Sequence, residues 1–187
     1  MEGSELGGLS LTSYSVYWNS GSGSSPATLF NETTNLFELF SGLTTGSTYK
    51  FAIAGKNELG EGQLSDILTL ICATKPQIPT APSTQIQGSN VLITWISPDN
   101  GGSTIQSFRI QVANALGLFV NLELTATGTS FVVPISSLTS DPFNLMQGNL
   151  VKAKISATNL IGEGPVSLAN SEGALIIVIP HQPQLGP

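Results

Sequence analysis

The strongest constraint on the fold of this 187-residue chain is an internal repeat. Residues 7–17 resemble residues 101–111, 94 positions later, since both begin with Gly-Gly and continue with alternating apolar and polar side chains. Residues 57–62 resemble residues 159–164, 102 positions later, and both end in Gly-Glu-Gly. The spacing grows by 8 because the second copy has an insertion, centred on residues 140–148. The chain is therefore predicted to contain two copies of one unit of about 95–100 residues.

Each copy shows the two-residue period that is typical of β-strands. The alternating apolar positions include Tyr14, Val16 and Trp18 in the first copy and Phe108, Ile110 and Val112 in the second. Side chains on a strand point to opposite faces in turn, so these segments are expected to bury one face. Turns rich in Gly and Asn separate the strands, and no segment shows a convincing helical period. The pattern predicts an all-β fold, and specifically a β-sandwich.

Charge and composition exclude several classes of protein. The chain has 6 Lys and Arg against 12 Asp and Glu, so it lacks the basic patch that a nucleic-acid partner requires. The longest apolar run, residues 174–179, is far shorter than the roughly 20 residues of a membrane-spanning helix, so no membrane insertion is expected in this segment. The single cysteine, Cys72, excludes an internal disulfide; it is predicted to be a buried free thiol, with a disulfide between molecules as the alternative in a secreted chain.

No residue pattern indicates catalysis, so we predict that the chain is not an enzyme and has no catalytic residues. The only histidine, His181, lies in a Pro-rich tail, where a Ser-His-Asp arrangement has no formed site. The acidic residues are scattered, and the Gly-Glu-Gly segments lack the lysine and the following helix of a phosphate loop. The turn Asp99-Asn100 offers one carboxylate, too few for calcium. We therefore expect no cofactor and no metal.

The sequence resembles the fibronectin type III family over nearly the whole chain, and the second copy carries most of the pattern. It has a Pro-rich start with Pro76, Pro79 and Pro82, and then a strand that ends in Trp95. A loop with paired glycines, an Ile…Phe-x-Ile strand and Leu138 follow in the family's order. Its insertion and the segment 170–174 are similar to a variant found in large surface proteins of protists. The resemblance implies two immunoglobulin-like sandwiches in tandem, with a structural core that includes Trp95, Tyr49, Phe108 and Ile155.

The resemblance also implies a tyrosine at the start of the penultimate strand, whose hydroxyl pins the preceding loop. Tyr49 occupies this place in the first copy, whereas Val151 occupies it in the second. The corner of the second copy is therefore expected to be held by another group, for which the inserted loop is a candidate.

The first copy is expected to lack its first two strands, because the counterpart of Trp95 falls on Met1. We predict an incomplete domain over residues 1–75, a complete domain over residues 76–180 and a Pro-rich linker to a further repeat over residues 181–187. The fifth strand of the first copy would lie around residues 35–39. The inward side chains of its remaining sheet, expected to lack a cover, are Tyr14, Val16, Phe51 and Ile53. Such a face is either bare or covered by strands from a neighbouring chain.

The resemblance implies a structural or adhesive module, acting as a spacer and protein-interaction unit in a longer extracellular or cell-surface array. The expected partners are other protein chains or neighbouring repeats of the same chain. Glycans are a further candidate partner. Asn31 begins the only Asn-x-Ser/Thr sequon, Asn-Glu-Thr, and is a candidate N-glycosylation site. Two alternatives are a subunit of an extracellular fibrous assembly, completed by strand donation, and an accessory module of a secreted carbohydrate-active enzyme.

Overall fold

The computed structural model describes residues 9–34 and 41–177, which are all-β apart from one short helix and confirm the predicted fold class. The chain divides into two compact units, Met1–Ala73 and Thr74–Pro187. The first unit contains strands β1 (Ser13–Trp18), β2 (Thr28–Thr33), β3 (Thr48–Asn57), β4 (Gly60–Glu61) and β5 (Leu68–Ile71). The second contains β6 (Ser83–Gln87), β7 (Asn90–Thr94), β8 (Ser107–Ala113), β9 (Phe119–Ala126), β10 (Ser130–Pro134), helix α1 (Ile135–Leu138), β11 (Ala153–Asn159) and β12 (Gly162–Glu163).

The described strands of the first unit form one antiparallel sheet in the order β2-β1-β3-β4, with β5 also paired to β3. Val16 lies opposite Ile53 and Trp18 opposite Phe51, so these apolar side chains share one face. Between β4 and β5, Ser65 bonds to β3 with both its backbone and its hydroxyl, which accepts from the Ile53 amide at 3.1 Å. Ser65 thereby continues the hydrogen bonding along β3 where neither β4 nor β5 pairs with it.

The second unit is a sandwich of two antiparallel sheets. One sheet has the order β10-β7-β6 and the other the order β12-β11-β8-β9, seven strands in all. Ile155 lies opposite Ile110, and Ala153 lies opposite Val112. Because paired residues point to the same face, the alternation in the sequence turns a continuous apolar layer toward the other sheet.

The core of the second unit lies between its sheets. Trp95 directly follows β7 and is 6% exposed, with its ring edge-to-face against Phe108 at 5.4 Å between centroids. The core also includes Val91, Ile93, Ile110, Val112, Val133, Ala153 and Ile155. The large aromatic residues fill the space between small and β-branched side chains on the facing strands, as dense packing requires.

The insertion of the second unit closes one end of this core. Helix α1 buries Leu138, and the loop that follows it buries Phe143 and Leu145. The Leu145 amide donates to the Leu138 carbonyl at 2.9 Å, which folds the loop back on the helix. The additional residues therefore add apolar side chains to the core and are not a loose surface loop.

Candidate functional site

In the second unit, the carboxylate of the Gly-Glu-Gly hairpin binds across the outer face of the four-stranded sheet. Glu163 on β12 lies 2.6 Å from the Arg109 guanidinium on β8. The Ser156 hydroxyl, on the intervening strand β11, donates a short hydrogen bond to the same carboxylate oxygen. Ser156 is fully buried beneath the pair. The carboxylate therefore ties three adjacent strands together.

Glu61 makes the corresponding tie in the first unit through different partners. The Ser15 hydroxyl donates to one of its carboxylate oxygens at 2.6 Å, and the Tyr17 hydroxyl donates to the other at 2.8 Å. These hydrogen bonds, that of Ser15 first, hold the pKa of Glu61 below its usual range. The bond to the carboxylate in turn raises the pKa of the Tyr17 hydroxyl. Both carboxylates are thus occupied by neighbouring strands of their own sheet.

A buried asparagine holds the second unit where a tyrosine corner is absent. Asn170 accepts a hydrogen bond from the Ala153 amide at 2.7 Å and donates to the Val151 carbonyl at 2.9 Å. The same amide group donates to the Thr84 hydroxyl of β6 at 3.3 Å, which joins the two sheets. The Val151 amide donates to the Ala174 carbonyl. The corner is therefore held by the segment after β12, and not by the inserted loop that the sequence suggested.

The first unit has the hydrogen bond that the family resemblance implied. The Thr44 amide donates to the Tyr49 hydroxyl at 2.8 Å and so pins the loop before β3. The Tyr49 ring stacks on Trp18 at 5.9 Å between centroids, and Trp18 meets Phe30 edge-to-face at 5.2 Å. An aromatic cluster thus covers part of the apolar face of this sheet.

The expectation that four inward side chains of the first unit lack a cover is wrong for two of them. Val16 and Phe51 are buried, and Tyr14 is partly buried. The number of described strands therefore does not decide the burial of these two side chains. Ile53, by contrast, is 47% exposed, whereas its counterpart Ile155 in the second unit is 0% exposed. Leu68 and Leu70, which lie opposite Phe51 and Tyr49 on β5, are also about half exposed, so the exposed part of this face extends from Ile53 to β5.

The segment before β6, Thr74–Gln77, is held by two loops of the second unit, and we call it the leading segment. The Asn159 side chain donates to the Thr74 carbonyl at 2.7 Å, and the Thr74 amide donates to the Gly101 carbonyl at 2.7 Å. Pro76 is fully buried, and its carbonyl oxygen lies so near Gly164 that a Cβ there would collide with it. Position 164 therefore requires glycine, because the backbone of Pro76 approaches it too closely for a Cβ.

The remaining residues singled out from the sequence lie apart from one another. Asn31 is exposed on β2, at the edge of the first sheet. Cys72 follows β5 and is partly exposed, not buried as expected. His181, the linker over residues 181–187 and the strand expected around residues 35–39 all fall outside the described residues. Trp95, Tyr49, Phe108 and Ile155 are buried.

Sequence reasoning missed the residues whose side chains join separate strands and loops by hydrogen bonds or ion pairs. These residues, which we call the polar ties, are Glu61, Glu163, Asn159 and Asn170. The recurrence of Gly-Glu-Gly in both copies was the available signal for the two glutamates, but it indicated only hairpin turns. The two asparagines are distinguished from other asparagines only by partners that are distant in the chain. One such partner is Thr84, which is 86 positions from Asn170. No local pattern marks such a residue.

Side chains that could bind a metal do not cluster in the described residues. Within residues 9–34 and 41–177, no three His, Cys, Asp or Glu side chains come together as metal ligands. Two shallow grooves, of about 550 and 810 Å³, both border Ile86 and Ile177 on the second unit, and Glu172 is the ionisable side chain among their linings. None of the helices in the described part of the chain has the length and apolar character to cross a bilayer.

Comparison with known proteins identifies relatives that are much longer than this chain, and no family model matches it. A Kelch domain-containing protein of Sulfurisphaera tokodaii is 30% identical over 143 residues, which are 73% of this chain and 18% of that protein. Human fibronectin type-III domain-containing protein 3A is 35% identical over 75 residues, 38% of this chain and 6% of that protein. The chain thus spans less than a fifth of the length of either relative.

A solved structure has a similar fold. Domains A168–A170 of titin align with a TM-score of 0.53 at 17% sequence identity, covering 87% of this chain and 54% of the titin fragment. At this identity the likeness concerns the fold alone. It extends over both units of the chain, in agreement with the two-copy architecture that the sequence predicted.

Proposed function

Because the chain is a tandem of fibronectin type III domains, we propose that it acts as a non-enzymatic spacer and protein-interaction unit in a longer extracellular or cell-surface polypeptide. Domains of this type are typically adhesion or interaction units of larger proteins. A fold does not by itself assign a function, so the proposal depends on what the side chains do.

The observation that carries the proposal is that the polar clusters of both units are occupied within the fold. Glu163 and Glu61 bind strands of their own sheets, and Asn170 binds backbone groups and Thr84. A catalytic carboxylate is directed into a cleft toward a substrate, whereas these carboxylates bind side chains of neighbouring strands on a sheet face. The two units are therefore proposed to contribute an exposed surface for contacts with other molecules and the length of a spacer.

A replacement experiment separates the spacer role from specific interaction. In the full-length polypeptide, residues 1–187 are exchanged for an unrelated pair of β-sandwich domains of equal length, and adhesion of the producing cells is measured. A spacer predicts adhesion within about twofold of the original, and an interaction unit predicts its loss. Staining of intact cells with a tag next to residue 187 tests the location, and a signal that requires permeabilisation would contradict the proposal.

The proposed extracellular location makes Asn31 available for N-glycosylation. It is exposed on an edge strand, and the hydroxyl residue of its sequon, Thr33, follows two positions later. Secreted protein should lose apparent mass on treatment with a deglycosidase. Asn31→Gln should abolish that shift and the matched variant Thr33→Ser should retain it, because Ser also completes a sequon. A secreted chain with no shift would refute glycosylation of Asn31.

A second candidate function is a subunit of a fibrous assembly that receives strands from another chain. The exposure of Ile53 favours it, because in the second unit a whole sheet, β10-β7-β6, covers the equivalent Ile155. If a donated strand covers this face, Ile53→Glu should dissociate the assembly in sedimentation experiments. The control Leu124→Glu, at a position that is also about half exposed in the second unit, should not. Identical sedimentation of the two variants would exclude this role.

A further inference from the structure

The turn between β8 and β9 carries exposed apolar side chains at one end of the second unit. Leu116 is 83% exposed and Leu118 is 63% exposed. The neighbouring inserted loop exposes Met146, and it lies beside the turn because the Ala115 amide donates to the Phe143 carbonyl at 2.8 Å. We call Leu116, Leu118 and Met146 the apolar tip. Large apolar side chains exposed together on adjacent loops are typical of a surface that contacts a protein or a membrane.

The backbone amides of this turn are satisfied within the protein. The Asn114 side-chain oxygen accepts hydrogen bonds from the Leu116 and Leu118 amides, both at 3.0 Å. The Asn114 carbonyl accepts from the Gly117 amide, and the Asn114 amide donates to the Leu118 carbonyl, both at 2.8 Å. The Ala115 amide is bound by the inserted loop. An unpaired amide is costly to remove from water, so this turn can enter an apolar phase without that cost at its amides.

Two lysines lie beside the apolar tip, at the start of β11. The Lys152 carbonyl accepts a hydrogen bond from the Ala113 amide, at the end of β8 where the turn begins. The Lys154 ammonium lies 4.2 Å from the centre of the Phe119 ring, the first residue after the turn. Neither lysine forms an ion pair with a carboxylate in the described part of the chain. Their positive charges are therefore available to an external partner.

The charge around the apolar tip is opposite in sign to that of the whole chain, whose formal net charge is −6. Residues 110–122, which include the turn, contain no charged side chain. Residues 139–154, which include the insertion, contain the two lysines and one acid, Asp141. The excess of positive charge is complementary to an anionic partner.

We propose that the apolar tip binds the surface of an anionic lipid bilayer, with Lys152 and Lys154 against its headgroups. The tip borders neither of the two grooves of this unit, so it offers projecting side chains and no depression for a partner's side chain. A fluid bilayer accepts such side chains without a complementary pocket. A membrane-spanning helix needs roughly 20 apolar residues, whereas a peripheral contact needs only a few apolar side chains next to basic ones.

The size of the tip sets the expected strength of binding. Two leucines and a methionine supply less apolar surface than one myristoyl chain, which by itself binds with an association constant of about 10⁴ M⁻¹. Each lysine near an anionic surface should strengthen binding about fivefold, and added salt should remove that contribution. Half-saturation is therefore expected at millimolar lipid. The proposal goes beyond the spacer role, which is unaffected if vesicles do not bind.

The test is co-sedimentation of the 187-residue chain with vesicles of phosphatidylcholine alone or mixed with phosphatidylserine. The mixed vesicles should bind the chain at least about fivefold more strongly. Leu116→Ser/Leu118→Ser should weaken this binding about tenfold or more, because it removes the apolar contact. The control Leu160→Ser/Leu168→Ser, at similarly exposed leucines elsewhere on the second unit, should bind within about twofold of the unaltered chain. Equal binding by the two double variants would overturn the proposal.

The lysines and the site of contact are tested separately. Lys152→Gln/Lys154→Gln should lower binding to the mixed vesicles to the level seen with phosphatidylcholine alone. In NMR spectra of the chain with bicelles that contain a spin-labelled lipid, the amide signals of residues 115–118 should broaden and those of residues 160–162 should not. Undiminished binding of the lysine variant, or broadening at both ends of the unit, would contradict the proposed contact, as would the absence of binding to either vesicle.

A protein partner predicts a different result. If a second copy of this chain covers the apolar tip, sedimentation velocity without lipid should show association that Leu116→Ser/Leu118→Ser abolishes. That outcome would overturn the proposal and identify the tip as a contact between copies. A chain that remains monomeric without lipid and binds the mixed vesicles through the two leucines supports the membrane contact.

Discussion

Replacing one isoleucine in each unit should have very different effects on stability, although the two positions are equivalent in the repeat. Ile155 is 0% exposed between two sheets, and Ile53 is 47% exposed on a single described sheet. Ile→Ala removes three carbon groups, worth about 2.4 kcal/mol in transfer free energy when fully buried. A rigid core adds a cavity term, so Ile155→Ala should destabilise the second unit by roughly 3–5 kcal/mol.

The same substitution at Ile53 removes about half as much buried surface and leaves no closed cavity. We therefore expect Ile53→Ala to destabilise the first unit by only about 1 kcal/mol. The loss of stability is thus expected to be about four times larger for Ile155→Ala than for Ile53→Ala. This ratio tests the inference that part of the first sheet is uncovered better than either value does, because differences between variants are more reliable than sums of burial.

The two tryptophans allow each unit to be followed separately in urea unfolding. Trp18 reports on the first unit in a Trp95→Phe background, and Trp95 reports on the second in a Trp18→Phe background. Leu124→Ala, at an exposed position of the second unit, should change stability by less than about 0.5 kcal/mol. If Ile53→Ala costs as much as Ile155→Ala, the face of the first unit is covered in solution and the reasoning is refuted.

Three further substitutions test the core and the polar ties. Asn170→Ala should destabilise the second unit by roughly 2–5 kcal/mol in the same assay, because it leaves buried backbone groups unsatisfied, and a loss below 1 kcal/mol would show that water replaces the side chain. Trp95→Ala, which lacks the fluorescent reporter and is therefore followed by circular dichroism, should cost roughly 3–5 kcal/mol as the loss of a large core aromatic; an effect typical of a surface position would contradict its burial. The lowered pKa of Glu61 means that its hydrogen bonds contribute stability above the ordinary carboxyl pKa of about 4.3 and that this is lost as the pH falls through the lower folded-state value. Ser15→Ala should therefore flatten the acid limb of the first unit's stability profile, and an unchanged profile would mean that the tie is absent in solution.

The strands and their buried faces could be predicted from sequence because they depend on local pattern. Phe108, Ile110 and Val112 alternate with polar residues, and the structure buries all three against β11 and the facing sheet. The period of two is a property of each strand's own backbone, so the sequence carries it without knowledge of the partner strands. The two-copy architecture of antiparallel β-sheets followed from the repeat and is confirmed at the level of the fold.

The hydrogen bonds of Asn170 and the burial of Phe51 could not be predicted in this way. Asn170 lies in a segment that resembles a polar turn, and its role arises only when β6 comes within hydrogen-bonding distance of it. The expectation that Phe51 lacks a cover counted strands, whereas Phe51 is only 8% exposed in the folded unit. Both properties depend on contacts that the spacing of residues does not encode.

The sequence by itself determined that this chain forms two similar units of short antiparallel strands, with apolar faces and glycine-containing hairpins, because alternation and turn chemistry act over a few residues. Only the tertiary structure decided which polar groups become ties, since Glu61 and Glu163 share a motif yet bind different side chains. It also decided that the Gly-Glu-Gly hairpin of the second unit lies against the Pro76 backbone. The physical reason is that hydrogen bonds and close packing act over a few ångströms in space, and residues far apart in the chain meet only after the fold has set the register of its strands.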